Sequence, residues 1–303
     1  MAQNNLRIVY QNVADYSTSN ITASSTASLA TPTTNLKLDS KSLVWRSATN
    51  STTTVKANLL VTFASTSMVG NITLPFCNLS STATIRVRGF NTATPILGDA
   101  YGGTPIILNG ATTIFDTGII NACPYQVLGL WDWGALPLGV NSYSYGGGTY
   151  ARAWLDNQLG CTSIVIELVD NNSTDKYIEA SRLVVGTYWS PKYNTSYGLA
   201  TSMKDLTTNQ RSESGDLITT RGIKYKSMTF DLKWLTPSDR LQFERIIKGN
   251  GLAQPIFISL FPNNSGDYDK EQAHQIYGKL SQLSEIQHPI FDTYSTQIEI
   301  EEI

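Results

Sequence analysis

Short runs of alternating or wholly apolar residues, divided by polar turns, recur through the first 189 of the chain's 303 residues, and apolar side chains fall at helical spacing in one place only. A pleated strand repeats every two residues and a helix every 3.6, so this pattern points to a mainly β fold. The runs cover residues 6–10, 43–45, 55–63, 69–76, 84–90, 163–169 and 182–189. In 83–90 (ATIRVRGF), Ile85 and Val87 share one side and Arg86 and Arg88 the other, so one face is expected to be packed and the other wet. Short strands at such spacing, with turn signals between them, build a sandwich or a barrel. Composition agrees: 41% of residues are hydrophobic, 10% aromatic and only 15% charged, with 22 Gly. β-Branched and aromatic side chains suit a half-buried pleated surface, while Gly and Asn serve its turns.

Charge density locates a boundary. Residues 1–185 carry 20 charged side chains, and the much shorter stretch 186–303 carries 26. Two modules of different surface chemistry follow from this, divided into 1–189 and 190–303 near the turn residues of 186–191 (GTYWSP). The second module opens with a polar stretch, 197–222, too poor in apolar side chains to hold a hairpin alone. It is expected to order against something else, a neighbouring subunit being one candidate. In 228–234, Met228, Phe230, Leu232 and Trp234 are expected on one face, with Thr229, Asp231 and Lys233 on the other. The one helix is expected at about 237–248: Thr236 can cap it, Pro237 suits the first turn, Asp239 stands three residues after the cap, and Gly249 and Gly251 end it. Phe243, Ile246 and Ile247 form its inward stripe. Strands follow at 254–261, 275–280 and 293–301, the last setting Tyr294, Thr296, Ile298 and Ile300 against Gln297, Glu299 and Glu301.

The order of landmarks in the first module is 21–25 (ITASS), then Asn35, Leu36 and Asp39, then 45–47 (WRS), strands at 55–60 and 71–74, and a closing strand over 178–189. This order resembles the galactose-binding-like, discoidin-type jelly roll. The resemblance implies a jelly-roll β-sandwich over 1–189; many members of that fold bind sugars through loops at one end, and many others are adaptors. In the second module, 234–239 (WLTPSD), 249–251, 255–260 (PIFISL) and the carboxyl-terminal strand resemble the tail-tube-like domain of distal tail proteins from long-tailed bacteriophages. That implies a tail-tube-like β-sandwich with one α-helix over 190–303. The whole chain is similar to virion structural proteins of such phages, which implies a ring-forming, distal-tail-like component of the tail tip or baseplate, joining the tail tube to tip proteins. The partners implied are further copies in a hexameric ring, the tail tube, the tape measure and other baseplate proteins. The implied location is the virion tail tip, after synthesis in the host bacterial cytoplasm. The shared motifs concern packing and turns, so no functional residue is carried over.

Within the first module lies an insert, 129–139 (GLWDWGALPLG), followed by 142–150 (SYSYGGGTY) and Trp154. Trp131, Asp132, Trp133, Tyr143, Tyr145 and Tyr150 are its candidate contact residues. Rigid aromatic rings offer large contact area at low entropic cost to a sugar face or a neighbouring subunit. A self-packed loop closing the end of the sandwich is the other reading, and both stay open. A host surface glycan is therefore a candidate ligand, and a carbohydrate-binding, host-recognition module is the alternative function.

No catalytic, cofactor-binding or metal-binding residue is assigned, and no enzyme activity is expected. His274 and His288 are the two histidines, without a G-x-S-x-G elbow to supply a nucleophile, and they are read as surface or capping residues. No H-x-x-x-H or C-x-x-C spacing recommends zinc, and Cys77, Cys123 and Cys161 are read as buried thiols. Asp132 is the one acid in a sugar-friendly setting, but glycoside hydrolysis needs two carboxyl groups across a cleft, and sequence alone sets none of Asp156, Glu167 or Asp170 opposite it. The glycines 146–148 lack the Lys-Ser/Thr of a phosphate loop. The acidic run 267–271 (DYDKE) lacks EF-hand spacing and reads as a solvated hairpin tip. Glu299, Glu301 and Glu302 fit either basic groups of an adjacent subunit or an exposed strand face. A net charge of −2 and the absence of a basic run argue against nucleic acid. The first residues lack the basic and apolar regions of a signal peptide, and nowhere do about 18 apolar residues run together, so neither secretion by that route nor membrane insertion is expected. The sequons at Asn20, Asn71 and Asn78 then carry no weight.

Overall fold

The computed structural model describes residues 5–93, 112–123, 149–262 and 268–303. These form two antiparallel sheets, of nine and eight strands, a two-stranded ribbon, and the helices Pro237–Asn250 and Tyr268–Ala273. The architecture is mainly β, as the periodicity requires. No helix among the described residues is long and apolar enough to cross a membrane.

The nine-stranded sheet makes the jelly-roll sandwich. Its spine is a ribbon of two long strands, Val55–Cys77 and Thr149–Asp170, paired from Val55↔Asp170 to Cys77↔Thr149. Register breaks at Thr62/Ser67, Val69/Asn71 and Leu74/Cys77 interrupt it, and such breaks bend and twist a strand. The two halves accordingly take different neighbours. Asn20–Ala23 and Thr84–Phe90 flank the half near Val55 and Asp170, while Val184–Gly186 lies along Asn71–Thr73. Alternate residues Ala57, Leu59, Val61, Ile164, Ile166 and Leu168 meet Ile85 and Val87 in one core. The other side of Thr84–Phe90, expected to be wet, is only partly so: Arg86 keeps a quarter of its side chain exposed. Arg88 is buried and donates to the fully buried Glu167 at 2.7 Å. Burial holds the Glu167 carboxyl above its ordinary range, with the Arg88 and Arg86 charges opposing it.

The eight-stranded sheet runs in the order Tyr188–Trp189, Arg7–Val9, Ile256–Ser259, Gln275–Leu280, Thr293–Glu302, Lys224–Leu235 and Ala200–Asp205, with Ile286–Ile290 also paired to Thr293–Glu302. Two of these strands come from the stretch assigned to the first module. Ile8 is registered with Ile258 on one side and Trp189 on the other, so the division expected at 189/190 does not follow the sheets. The chain begins in the terminal sheet, leaves to build the sandwich and returns at Tyr188. The cause is apolar packing far along the chain: Leu6, Ile8 and Trp189 share a core with Phe243, Ile256, Ile258 and Ile298.

The alternation expected in 228–234 holds as far as Leu232. A register break between Leu232 and Leu235 then turns Leu235 inward, 2% exposed, and Trp234 outward, 55% exposed. Helix Pro237–Asn250 begins in a capping box, in which Thr236 Oγ1 accepts from the Asp239 N–H at 3.2 Å and the Asp239 carboxylate accepts from the Thr236 N–H at 3.3 Å. It stops at Gly251, whose φ of 55° lies in the left-handed region that favours glycine.

The polar stretch 197–222 orders against the terminal sheet of its own chain, and not against a neighbouring subunit. Ala200–Asp205 pairs with the first half of Lys224–Leu235, Leu206 N–H reaches Ile223 O at 3.1 Å, and the ribbon Thr208–Arg211/Leu217–Thr220 carries the arm outward. Backbone pairing to an existing sheet supplies what the side chains lack.

Candidate functional site

The two sheets meet at an aromatic layer. Phe257 of the terminal sheet lies 6.1 Å from Tyr150 and 5.9 Å from Trp154, ring centre to ring centre, and both of the latter belong to the sandwich ribbon. Arg7 lies over Tyr188 at 4.3 Å. Three polar links lock this layer. Arg152 Nε donates to Glu271 Oε2 at 2.9 Å, and Trp154 Nε1 to Glu271 Oε1 at 2.7 Å. Arg182 donates to Asp15 at 2.5 Å and to Tyr277 Oη at 2.8 Å, and Tyr150 Oη donates to Glu302 at 2.8 Å. Burial pushes the Tyr150 phenol well above its ordinary value, the Glu302 charge adding to it, so the hydroxyl keeps its proton.

Several sequence expectations change here. Tyr150, grouped with the aromatic insert, is a buried residue of the junction and not a surface contact. Glu271, expected in a solvated hairpin tip, is fully buried on helix Tyr268–Ala273. Glu302 and Glu301 pair with Lys41 and Lys204 of their own chain. Glu167 and Asp170 are structural, the latter accepting from Ser80 Oγ at 2.6 Å. His274 Nδ1 lies 2.8 Å from Lys270 O, and the exposed His288 stacks on Tyr294 at 4.6 Å. Trp131, Asp132, Trp133, Tyr143 and Tyr145 lie outside the described residues.

The segment that holds those five, 124–148, is nevertheless rooted at a defined place. Its flanking residues touch, Cys123 Sγ to Thr149 Oγ1 at 3.4 Å, and Arg152 Nη1 donates to Asn121 O at 3.0 Å. Arg152 also lines a cleft of about 360 Å³ with Phe115, Asp116, Ile120, Trp154 and Asn157. Cys77 shares the same hydroxyl, 3.4 Å from Thr149 Oγ1. Burial raises the Cys77 thiol, but hydrogen bonds from Cys123 and Thr149 outweigh it and bring Cys77 to about 7, while Cys123 is pushed well above its ordinary value by its bond to Cys77 and by burial. No spacing in the sequence announced this pair, because the two cysteines meet only through the ladder position Cys77↔Thr149.

A second hollow lies on the outer face of the terminal sheet, about 680 Å³ in volume. Asp231, Lys233, Ser295 and Gln297 line its sheet side; Trp234, Leu283, Glu285 and Ile290 form its walls. Ser284 Oγ, beside the hollow, and Thr296 Oγ1, on the inward face of its strand, are buried without a hydrogen-bond partner among the described residues. Phe291, at the turn beside it, is 84% exposed. The sequence hid this groove by suggesting that Trp234 faces inward.

No known protein family matches the sequence, and no curated protein does. Solved structures do resemble it, at 8–14% identity. They include a GH29 fucosidase of Ruminococcus gnavus in complex with fucose, 10% identical with a TM-score of 0.36 over 60% of this chain and 27% of that one. A chitosan-binding module from a chitosanase/glucanase of Paenibacillus sp. IK-5 is 14% identical, TM-score 0.36, over 58% of this chain and 99% of the module. The family 32 carbohydrate-binding module of C. perfringens NanJ, in complex with galactose, is 11% identical, TM-score 0.35, over 60% and 99%. This chain thus spans about a quarter of the fucosidase's length. At this similarity the likenesses carry no argument about function.

Proposed function

We propose that this chain is a non-catalytic assembly protein whose terminal sheet joins copies of itself and carries the jelly-roll sandwich. The observation that supports it is the arm. Met203, Leu206, Leu217, Ile218 and Ile223 are all exposed on it, Ile223 by 70%, and the outer edge of Ala200–Asp205 pairs with no strand among the described residues. An unpaired strand edge with apolar side chains is an aggregation hazard unless a defined neighbour covers it, and closed symmetry is one way to provide that neighbour. Joined to the resemblance of the second module to tail-tube-like domains, the concrete form is a hexameric ring at a phage tail tip, between the tail tube and the baseplate. Native mass measurement of the purified chain tests it: a defined oligomer is expected, and a single chain at every concentration would refute the reading.

A second reading, glycan recognition by the sandwich, is favoured by the aromatic residues Trp131, Trp133, Tyr143 and Tyr145 that the sequence carries between Cys123 and Thr149. Glycan-array binding that disappears in Trp131→Ala or Trp133→Ala, with the fold intact, is its expected signature.

A further inference from the structure

We infer that the groove beside Trp234 receives the arm of a second copy of the chain, head to tail; this rests on the assembly reading above and names the two surfaces it uses. Arm and groove sit toward opposite ends of one strand. The arm continues outward from Lys224, whereas Asp231, Lys233 and Trp234 line the groove. Nine residues of strand at roughly 3.3 Å each separate Lys224 from Lys233 by about 30 Å, with the arm pointing away. A chain therefore does not fill its own groove. Contacts between two unlike surfaces repeat around an axis, and they close into a ring or run on as a filament.

The two surfaces also match in chemistry. The groove offers exposed apolar walls in Trp234, Leu283 and Ile290, and the arm offers Leu217 and Ile218. The groove's sheet side is polar, with Asp231, Ser295 and Gln297, and a ribbon of Asn209, Gln210, Thr219 and Thr220 brings polar groups to it. Glu285 in the groove wall and Asp292 at the neighbouring turn have no ion pair among the described residues, and neither do Arg211 and Arg221 of the arm. The arm's own acids, Glu213 and Asp216, sit in the turn beyond the ribbon, and Asp216 accepts from Ser214 Oγ. Among the described residues, Ile286–Ile290, at the groove's rim, pairs only with Thr293–Glu302. Its other edge is open to strand addition, a common way of binding an extended segment.

The test measures association of the full chain by analytical ultracentrifugation over a concentration series. An arm variant carries Arg211→Glu and Arg221→Glu, a groove variant carries Glu285→Lys and Asp292→Lys, and a third chain carries all four. Each double variant should weaken association by about tenfold or more, since like charges then face each other, and the four-substitution chain should recover it. A mixture of the two double variants should also associate, by pairing the reversed arm with the reversed groove. Circular dichroism checks that each variant is folded, which is expected for exposed positions. Wild-type association that the arm variant loses and the groove variant keeps would overturn the groove as receptor while leaving the assembly reading intact. Loss in the groove variant alone would mean that another segment occupies it, and would overturn the pairing. A wild-type chain that never associates would remove both.

Discussion

The junction between the sheets pairs most of its buried polar groups within the chain, with Arg7 Nη1 and Arg182 Nη1 left over, whereas the outer end of the terminal sheet relies far less on such pairs. At the junction, Arg152, Glu271, Arg182 and Tyr150 are buried, and each finds its partner across the two sheets within the same chain. Beside the groove, Ser284 Oγ is shielded from solvent without a partner among the described residues, and the arm holds aliphatic side chains in water. Burying a charge is tolerated only when it is paired, whereas an unmet hydroxyl costs far less and can wait for a partner. The contrast separates what the chain completes alone from what it leaves to a neighbour.

The sharpest way to break the closed side is Glu271→Ala. It would leave the Arg152 guanidinium, 4% exposed, without its carboxylate and the Trp154 indole without its acceptor. Removing one member of a buried pair costs about 3–5 kcal/mol, to be read from the urea midpoint. A loss below about 1 kcal/mol would mean that the junction is not the lock described here. A smaller effect is expected with pH at Lys226, whose Nζ donates to Gln275 O at 3.0 Å and whose ammonium burial brings down to about 8 from 10.5. Below about 8 both folded and unfolded chains carry that charge, and desolvation opposes folding in full. Between about 8 and 10.5 the unfolded chain keeps a proton the folded one has released, so stability rises with pH, by about 3 kcal/mol at most. Lys226→Met should flatten that rise in urea titrations at pH 8 and 10; an unchanged slope would assign it to other groups. Smaller again, Thr236→Ala removes the cap of helix Pro237–Asn250 and should cost about 1 kcal/mol by the same measurement.

Local periodicity made much of this fold legible. The capping box, the inward set Phe243 and Ile246, and the alternation of Thr296, Ile298 and Ile300 all follow from spacing that the structure keeps. What spacing missed is set by contacts between distant segments. Nothing near Ile8 or Trp189 states that they pair with each other in the terminal sheet, and nothing near Glu271 states that Arg152 will pair with it. Trp234 shows the limit most simply: a register break of the kind a neighbouring strand imposes reverses which residue faces inward, and with it the groove. Of the aromatic residues grouped as candidate contacts, Tyr150 belongs to the junction, since the strand Thr149–Asp170 carries it inward, and the other five lie outside the described residues.

The open side is sharpened by a change with almost no effect on folding. Leu217→Ser with Ile218→Ser replaces two aliphatic side chains that are 57% and 59% exposed and lie in a ribbon held by backbone bonds. Substitutions at such positions shift stability by no more than about 0.5 kcal/mol each, so the urea midpoint should stay near that of the parent chain. Association should still fall, because these side chains gain burial only when a neighbour covers them, at about 25 cal/mol for each Å² of apolar surface removed from water. If the pair lowered stability by several kcal/mol instead, the arm would be packed within its own chain, and the distinction between a self-completed junction and an open arm would collapse. Unchanged stability with lost association, read on one sample by urea titration and sedimentation, is the outcome that only an interface residue produces.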